Sequence, residues 1–118
     1  MIEKKTTAKN TKQLVNISKP KLQAMIEEAT VDCYGESEQV TGLFTKIEDN
    51  LKLPFRTSFL GVEITVERID LNHRDQIMAI CARGRERQAV RLVDLRLPSP
   101  LPDGAEWIQA YCHWLGEG

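Results

Sequence analysis

The stretch Phe55-Arg-Thr-Ser-Phe-Leu60-Gly61-Val62-Glu-Ile64-Thr-Val66-Glu-Arg-Ile69 decides the fold. Apolar and polar residues alternate with period two on either side of Gly61, and Val62, Ile64 and Val66 fall on one face. That is the pattern of a half-buried antiparallel hairpin. Downstream, Ile77 to Ala82 is apolar on both faces, as a central strand is. Arg83-Gly84-Arg85-Glu86-Arg87 reads as a turn and Gln88 to Val93 as the returning strand. Leu95 and Leu97 extend that edge until Pro98, Pro100 and Pro102 stop it. Four or five short strands of this kind predict a small, strongly curled antiparallel sheet, of which an SH3-like barrel is one form.

Upstream the period changes to that of a helix. Ser18 is placed to cap a helix with Pro20 in its first turn. Leu22, Met25, Ile26 and Ala29 form its apolar stripe. A second helix is expected from near Ser37, with Val40, Leu43, Phe44, Ile47 and Leu51 on one side and Pro54 closing it off. At the other end, Asp103 as N-cap and Glu106 three residues on resemble a capping box. Trp107, Ile108, Tyr111, Trp114 and Leu115 form the buried face of a last helix, and Gly116 suits its end. The class is α+β: two N-terminal helices, a small curled sheet and a C-terminal helix. Residues 1–17 are polar and aperiodic and read as a flexible tail, leaving 18–118 as a single domain.

Composition narrows the function. The 118 residues are 42% hydrophobic and 28% charged, ordinary for a globular chain. No apolar run approaches the roughly 20 residues of a membrane span. The opening MIEKKTTAKNTKQ has charge but no apolar segment behind it, unlike a secretory leader. Cys33, Cys81 and Cys112 are odd in number and unpaired in spacing, which fits free thiols in a reducing cytoplasm. Histidines His73 and His113 are far apart, no zinc spacing occurs, and no glycine-rich phosphate loop is present. Cys81 sits mid-strand, where a thiol is usually buried and inert. Enzymatic motifs are therefore missing.

The net charge of −1 conceals segregation. Residues 1–26 hold six lysines and one acid. Residues 27–49 hold seven acids (Glu27, Glu28, Asp32, Glu36, Glu38, Glu48 and Asp49) against Lys46 alone. An acidic block suits a hard cation and repels nucleic acid. Asp32, Glu36 and Glu38 alternate in a loop leading into the second helix, where Ca²⁺ could be met by carboxylates, backbone carbonyls and water together. The helix dipole also favours acids at that position with no metal at all. Glu48 and Asp49 stand at the opposite end, where each costs roughly 0.3–1 kcal/mol against the carbonyl dipoles. Asp70, Asn72 and Asp75 form a third oxygen-bearing loop. It lacks the glycine and terminal glutamate of an EF-hand and reads more simply as a polar hairpin loop.

Six segments taken together, VDCYGESEQ (31–39), EDNLKLPF (48–55), LGVEITVERIDL (60–71), AICARGRERQ (79–88), LVDLRLP (92–98) and PDGAEWIQAYCHW (102–114), resemble the cyanobacterial calcium-binding protein family, the CcbP-like proteins. The likeness runs from about Ala24 to Trp114. It implies a monomeric Ca²⁺ binder without EF-hands, with surface carboxylate sites and a buffering or signalling role. On the matching motifs it implies Asp32, Glu36 and Glu38 as first ligands and Glu48 and Asp49 as second. The chain departs from the pattern at Gly35 and Ser37, which interrupt the acidic run and lower the ligand charge on which affinity depends. The rival reading is an SH3-like interaction module in which Arg83, Arg85, Arg87 and Arg91 bind RNA or an acidic protein. Nearby Asp70, Asp75, Glu86 and Asp94 are placed to pair those arginines.

Overall fold

The computed structural model describes residues 17–116. The tail expected over 1–17 lies outside them except for Ile17, which is half-buried against the core. Helix α1 spans Lys19–Ala29. The Ser18 side chain accepts the Lys21 N–H at 3.3 Å, and Pro20 sits in the first turn. Leu22, Met25, Ile26 and Ala29 are all buried. Helix α2 spans Glu36–Asn50 and buries Val40, Leu43 and Ile47, with Leu51 just beyond. It starts one residue earlier than expected, after Gly35, which offers no side-chain cap. Glu38 instead reaches back past the cap, and its Oε1 accepts the N–H of Tyr34, the residue before Gly35, at 2.7 Å.

The sheet is antiparallel and open, in the order β1 (Phe55–Phe59), β2 (Val62–Leu71), β3 (Ile77–Arg83) and β4 (Glu86–Arg91). It does not close into a barrel. Leu60 and Gly61 turn the first hairpin, and Gly84 and Arg85 alone turn the last, so β4 begins earlier than the sequence predicts. A bulge between Val66 and Arg68 resets the alternation of β2. Val66 and Ile69 therefore both face inward, beside Ile77, Ala79 and Cys81 of β3. Beyond Arg91 the chain leaves the sheet in a 3₁₀ turn, Leu92–Asp94, so Leu95 and Leu97 do not extend the edge. They are nevertheless buried, and the Thr57 hydroxyl donates to the Arg96 carbonyl across that segment.

Helix α3 spans Ala105–Leu115 and buries Trp107, Ile108 and Tyr111. The expected Asp103–Glu106 box is not formed. Gly104 stands at the cap with φ +88°, and no side chain caps the helix. A Cβ on Gly104 would lie 2.1 Å from the Asn50 carbonyl oxygen, so contact with the end of α2 excludes any other residue. The Lys52 N–H donates to the Asp103 carbonyl at 2.8 Å, and the Ile77 N–H donates to the Tyr111 hydroxyl at 3.4 Å. These bonds tie α3 to the end of α2 and to β3.

Gly42 supplies a test with an unusual sign. Gly→Ala in an open helix interior stabilises by about 0.8–1.0 kcal/mol. Here the added methyl would lie 2.2 Å from the Ala29 carbonyl oxygen, and crowding of a packed contact costs about 1–3 kcal/mol. Gly42→Ala is expected to lower stability in urea unfolding by about 1–2 kcal/mol. A rise would contradict the close approach of α1 to α2.

Candidate functional site

The chain between α1 and α2 carries the first acidic group. Thr30 ends α1 by donating both its N–H and its hydroxyl to the Ile26 carbonyl. Asp32 then takes the left-handed conformation at φ 63°, and Tyr34 stands 87% exposed. Asp32, Glu36 and Glu38 are all exposed. Glu48 and Asp49 are exposed in the last turn of α2. A helix of 15 residues is about 22 Å long, so the two groups stand at opposite ends of α2.

A third element joins the first group through space. In the β2–β3 loop, the Asn72 Oδ1 accepts the N–H groups of Arg74 and Gln76, both at 2.9 Å. Asp75 is held at φ 61°, and its Oδ1 accepts the Ser37 hydroxyl at 3.2 Å. Glu36, Ser37 and Asp75 thereby line one cleft of about 490 Å³, together with Arg74, Arg91 and Trp114. Asp70 is not part of it. Its carboxylate pairs with Arg68 at 3.1 Å and accepts the Leu71 N–H. The 38-residue separation of Ser37 from Asp75 leaves no local signal in the sequence by which this pairing is found.

Among the described residues, no three histidine, cysteine or acidic side chains converge closely enough to hold a metal. The donors offered by Asp32, Glu36, Glu38 and Asp75 are oxygens, the class that a hard cation takes. Carbonyls and water would have to complete the coordination.

Charge compensation differs sharply between the two layers. Of the seven acids in residues 27–49, Glu28 alone forms an ion pair among the described residues, with Lys46 at 2.8 Å. Lys46 also stands 5.4 Å from the Trp107 ring centroid. On the sheet, Arg56 pairs with Glu63, Arg68 with Asp70, Arg87 with Glu67, and Arg91 with Asp94. Arg91 grips Asp94 through two nitrogens, at 2.9 and 3.1 Å, and these hydrogen bonds hold the Asp94 carboxyl below its usual range. Two of the four arginines of the rival reading are thus engaged. Of the acids expected to pair those arginines, Asp94 does so, while Glu67, which the sequence did not single out, takes Arg87. Burial pushes the Cys81 thiol pKa up, which matches the inert thiol expected at that position.

No family model matches the chain, and comparison with curated proteins gives no match. Two solved structures are similar. The crystal structure of Anabaena CcbP superposes with a TM-score of 0.71 at 17% identity, over 86% of this chain and 94% of that one. A calcium binding protein in the calcium-binding form superposes at 0.64 with 21% identity, over 82% and 90%. At these identities the likeness is one of architecture, and the chain has the fold of Anabaena CcbP.

Proposed function

We propose that the protein is a Ca²⁺-binding protein with no enzymatic activity, a monomeric cytoplasmic buffer or signalling component that uses surface carboxylates in place of EF-hands. The observation that carries this reading is the uncompensated acidity of the loop and first turn of α2, on a fold shared with a calcium binding protein in its calcium-binding form. Asp32, Glu36 and Glu38 act as the first ligand group, and Glu48 and Asp49 as a second. Backbone carbonyls of the loop around Gly35, together with water, complete the coordination. Asp75 stands close enough to Ser37 to supply a further oxygen as the loop closes on the ion. Flexible oxygen clusters of this kind favour Ca²⁺ over Mg²⁺, which demands a tight octahedron and keeps its waters.

At free Ca²⁺ of 100 times Kd, one site adds about 2.7 kcal/mol of stability. For a domain of this size that raises the thermal midpoint by roughly 10–20 °C, with a smaller response to Mg²⁺. A midpoint unmoved by millimolar Ca²⁺ overturns the reading.

Two double variants locate the ligands. Glu36→Gln with Glu38→Gln should weaken Ca²⁺ binding sharply in calorimetry. It should also lower metal-free stability by a few tenths of a kcal/mol, since both acids favour the helix dipole. Glu48→Gln with Asp49→Asn should raise metal-free stability slightly, and should weaken binding only through a second ion. The opposite signs without metal separate helix electrostatics from coordination. If both variants bind like the parent, the ligands lie elsewhere, with Asp75, Asp70 and Asn72 next.

Arg83 and Arg85 have no ion-pair partner among the described residues, so the nucleic-acid reading has its own test. Single-stranded and duplex nucleic acids should show no appreciable binding near physiological salt, because the acidic helix layer works against them. A tight complex with a steep salt slope, lost on Arg83→Ala with Arg85→Ala, would reverse the assignment.

A further inference from the structure

The two hairpin tips lie together at one end of the sheet. The β1–β2 and β3–β4 connections turn there, while the β2–β3 loop beside α2 turns at the other end. Between the tips the inner face of the sheet opens into a cavity of about 270 Å³, and no residue of α1, α2 or α3 lines it. Phe59, Val62, Ile64, Cys81 and Val90 give it an apolar wall, and Glu86, Arg87 and Gln88 of β4 line its polar side. For scale, an engineered apolar cavity of roughly 150 Å³ takes up benzene.

The mouth has a different character. Arg83 lines it, and Arg85 stands on the adjoining turn. The other four arginines of the strands are each tied to a carboxylate, whereas these two have none among the described residues. Glu86 lies opposite Arg83 in the strand register and lines the same cavity, but it forms no ion pair with Arg83 among the described residues. The turn from Arg83 to Arg87 therefore carries three arginines against one acid, and only Arg87 is neutralised, by Glu67 at 2.9 Å. On the opposite tip Leu60 is 87% exposed.

A recess with an apolar wall and, at its rim, a guanidinium on a turn of net positive charge and in no ion pair among the described residues is complementary to one kind of molecule. A neutral hydrocarbon leaves the cation unanswered, and an inorganic anion leaves the apolar wall unfilled. We infer that this end of the sheet binds a single-chain anionic amphiphile, with its alkyl chain between Phe59, Ile64 and Val90 and its carboxylate on Arg83. The site lies at the end of the sheet remote from the Ser37–Asp75 contact and does not depend on Ca²⁺.

Sodium decanoate, below its micelle-forming concentration and in metal-free buffer, is the probe. Calorimetry on the full chain should show saturable binding. Arg83→Gln, at an exposed position, should weaken it about tenfold, the equivalent of one charge-assisted hydrogen bond. The uncharged 1-decanol should bind the parent about as weakly as decanoate binds the variant, and Val62→Trp should remove binding of both by filling the recess. Absence of saturable decanoate binding in the parent overturns the inference, as does equal affinity for decanoate and decanol. Arg83-dependent binding to phosphatidylserine vesicles without binding of free decanoate also overturns it, in favour of a membrane surface.

Discussion

The burial of Leu43 and Ile47, neither of which retains any exposed surface, is the constraint on which the rest of the structure depends. Full burial of such side chains contributes about 1.5–3 kcal/mol each, and it fixes the rotation of α2 about its own axis. With that stripe turned inward, Glu36, Glu38, Glu48 and Asp49 have no direction left but toward water. The acidic display is thus a consequence of core packing. The neighbours of α2 hold the same orientation at its middle and at its C-terminal end. Gly42 lets the Ala29 carbonyl come against its middle, and Gly104 lets the start of α3 come against the Asn50 carbonyl.

The sheet treats its charges in the opposite way. Its β2–β3–β4 outer face has Met78 and Ile80 only partly buried, and the arginines around them are fastened to acids across or along the strands. Exposed pairs of this kind are each worth at most about 1 kcal/mol, so their main effect is on the surface field and not on stability. They neutralise the sheet and leave the helix layer as the principal uncompensated acidic region. A chain with a net charge of −1 can therefore present a strongly negative face to a cation.

What was legible in the sequence followed from local rules. Ser18 and Pro20 marked the first helix correctly, the stripes of α1 and α2 named residues that are buried save for the half-buried Phe44, and the alternation around Gly61 gave the first hairpin. The errors arose where a distant contact overrode a local pattern. Asp103 and Glu106 had capping spacing, yet the approach of α3 to Asn50 demanded glycine at the cap. Leu95 and Leu97 looked like strand because they alternate, but the chain had already left the sheet at Leu92 and buries them from a loop. The bulge after Val66 was hidden for the same reason. Ile69 breaks the period of Val62, Ile64 and Val66, and only pairing with Ala79 shows why. The acidic segment was legible as a candidate site, while its link to Asp75 was not.

That link bears on how an ion at the start of α2 would be felt elsewhere. The first turn of α2 is bonded to two other elements: Ser37 donates to Asp75 in the β2–β3 loop, and Gln39 accepts the Trp114 indole N–H at 3.1 Å. Tyr111, stacked on Trp114 with ring centroids 6.4 Å apart, accepts the Ile77 N–H at the start of β3, which closes the circuit. The two attachments on α2 lie within one helical turn, and their partners belong to the packed helix α3 and to a loop fixed by Asn72. A ligand that draws Glu36 and Glu38 inward is therefore resisted by the body of the domain, and at Glu38 it would compete with the Tyr34 N–H. Local adjustment of residues 31–35, with α2, α3 and the sheet held in place, is the response to an ion there that this architecture would favour.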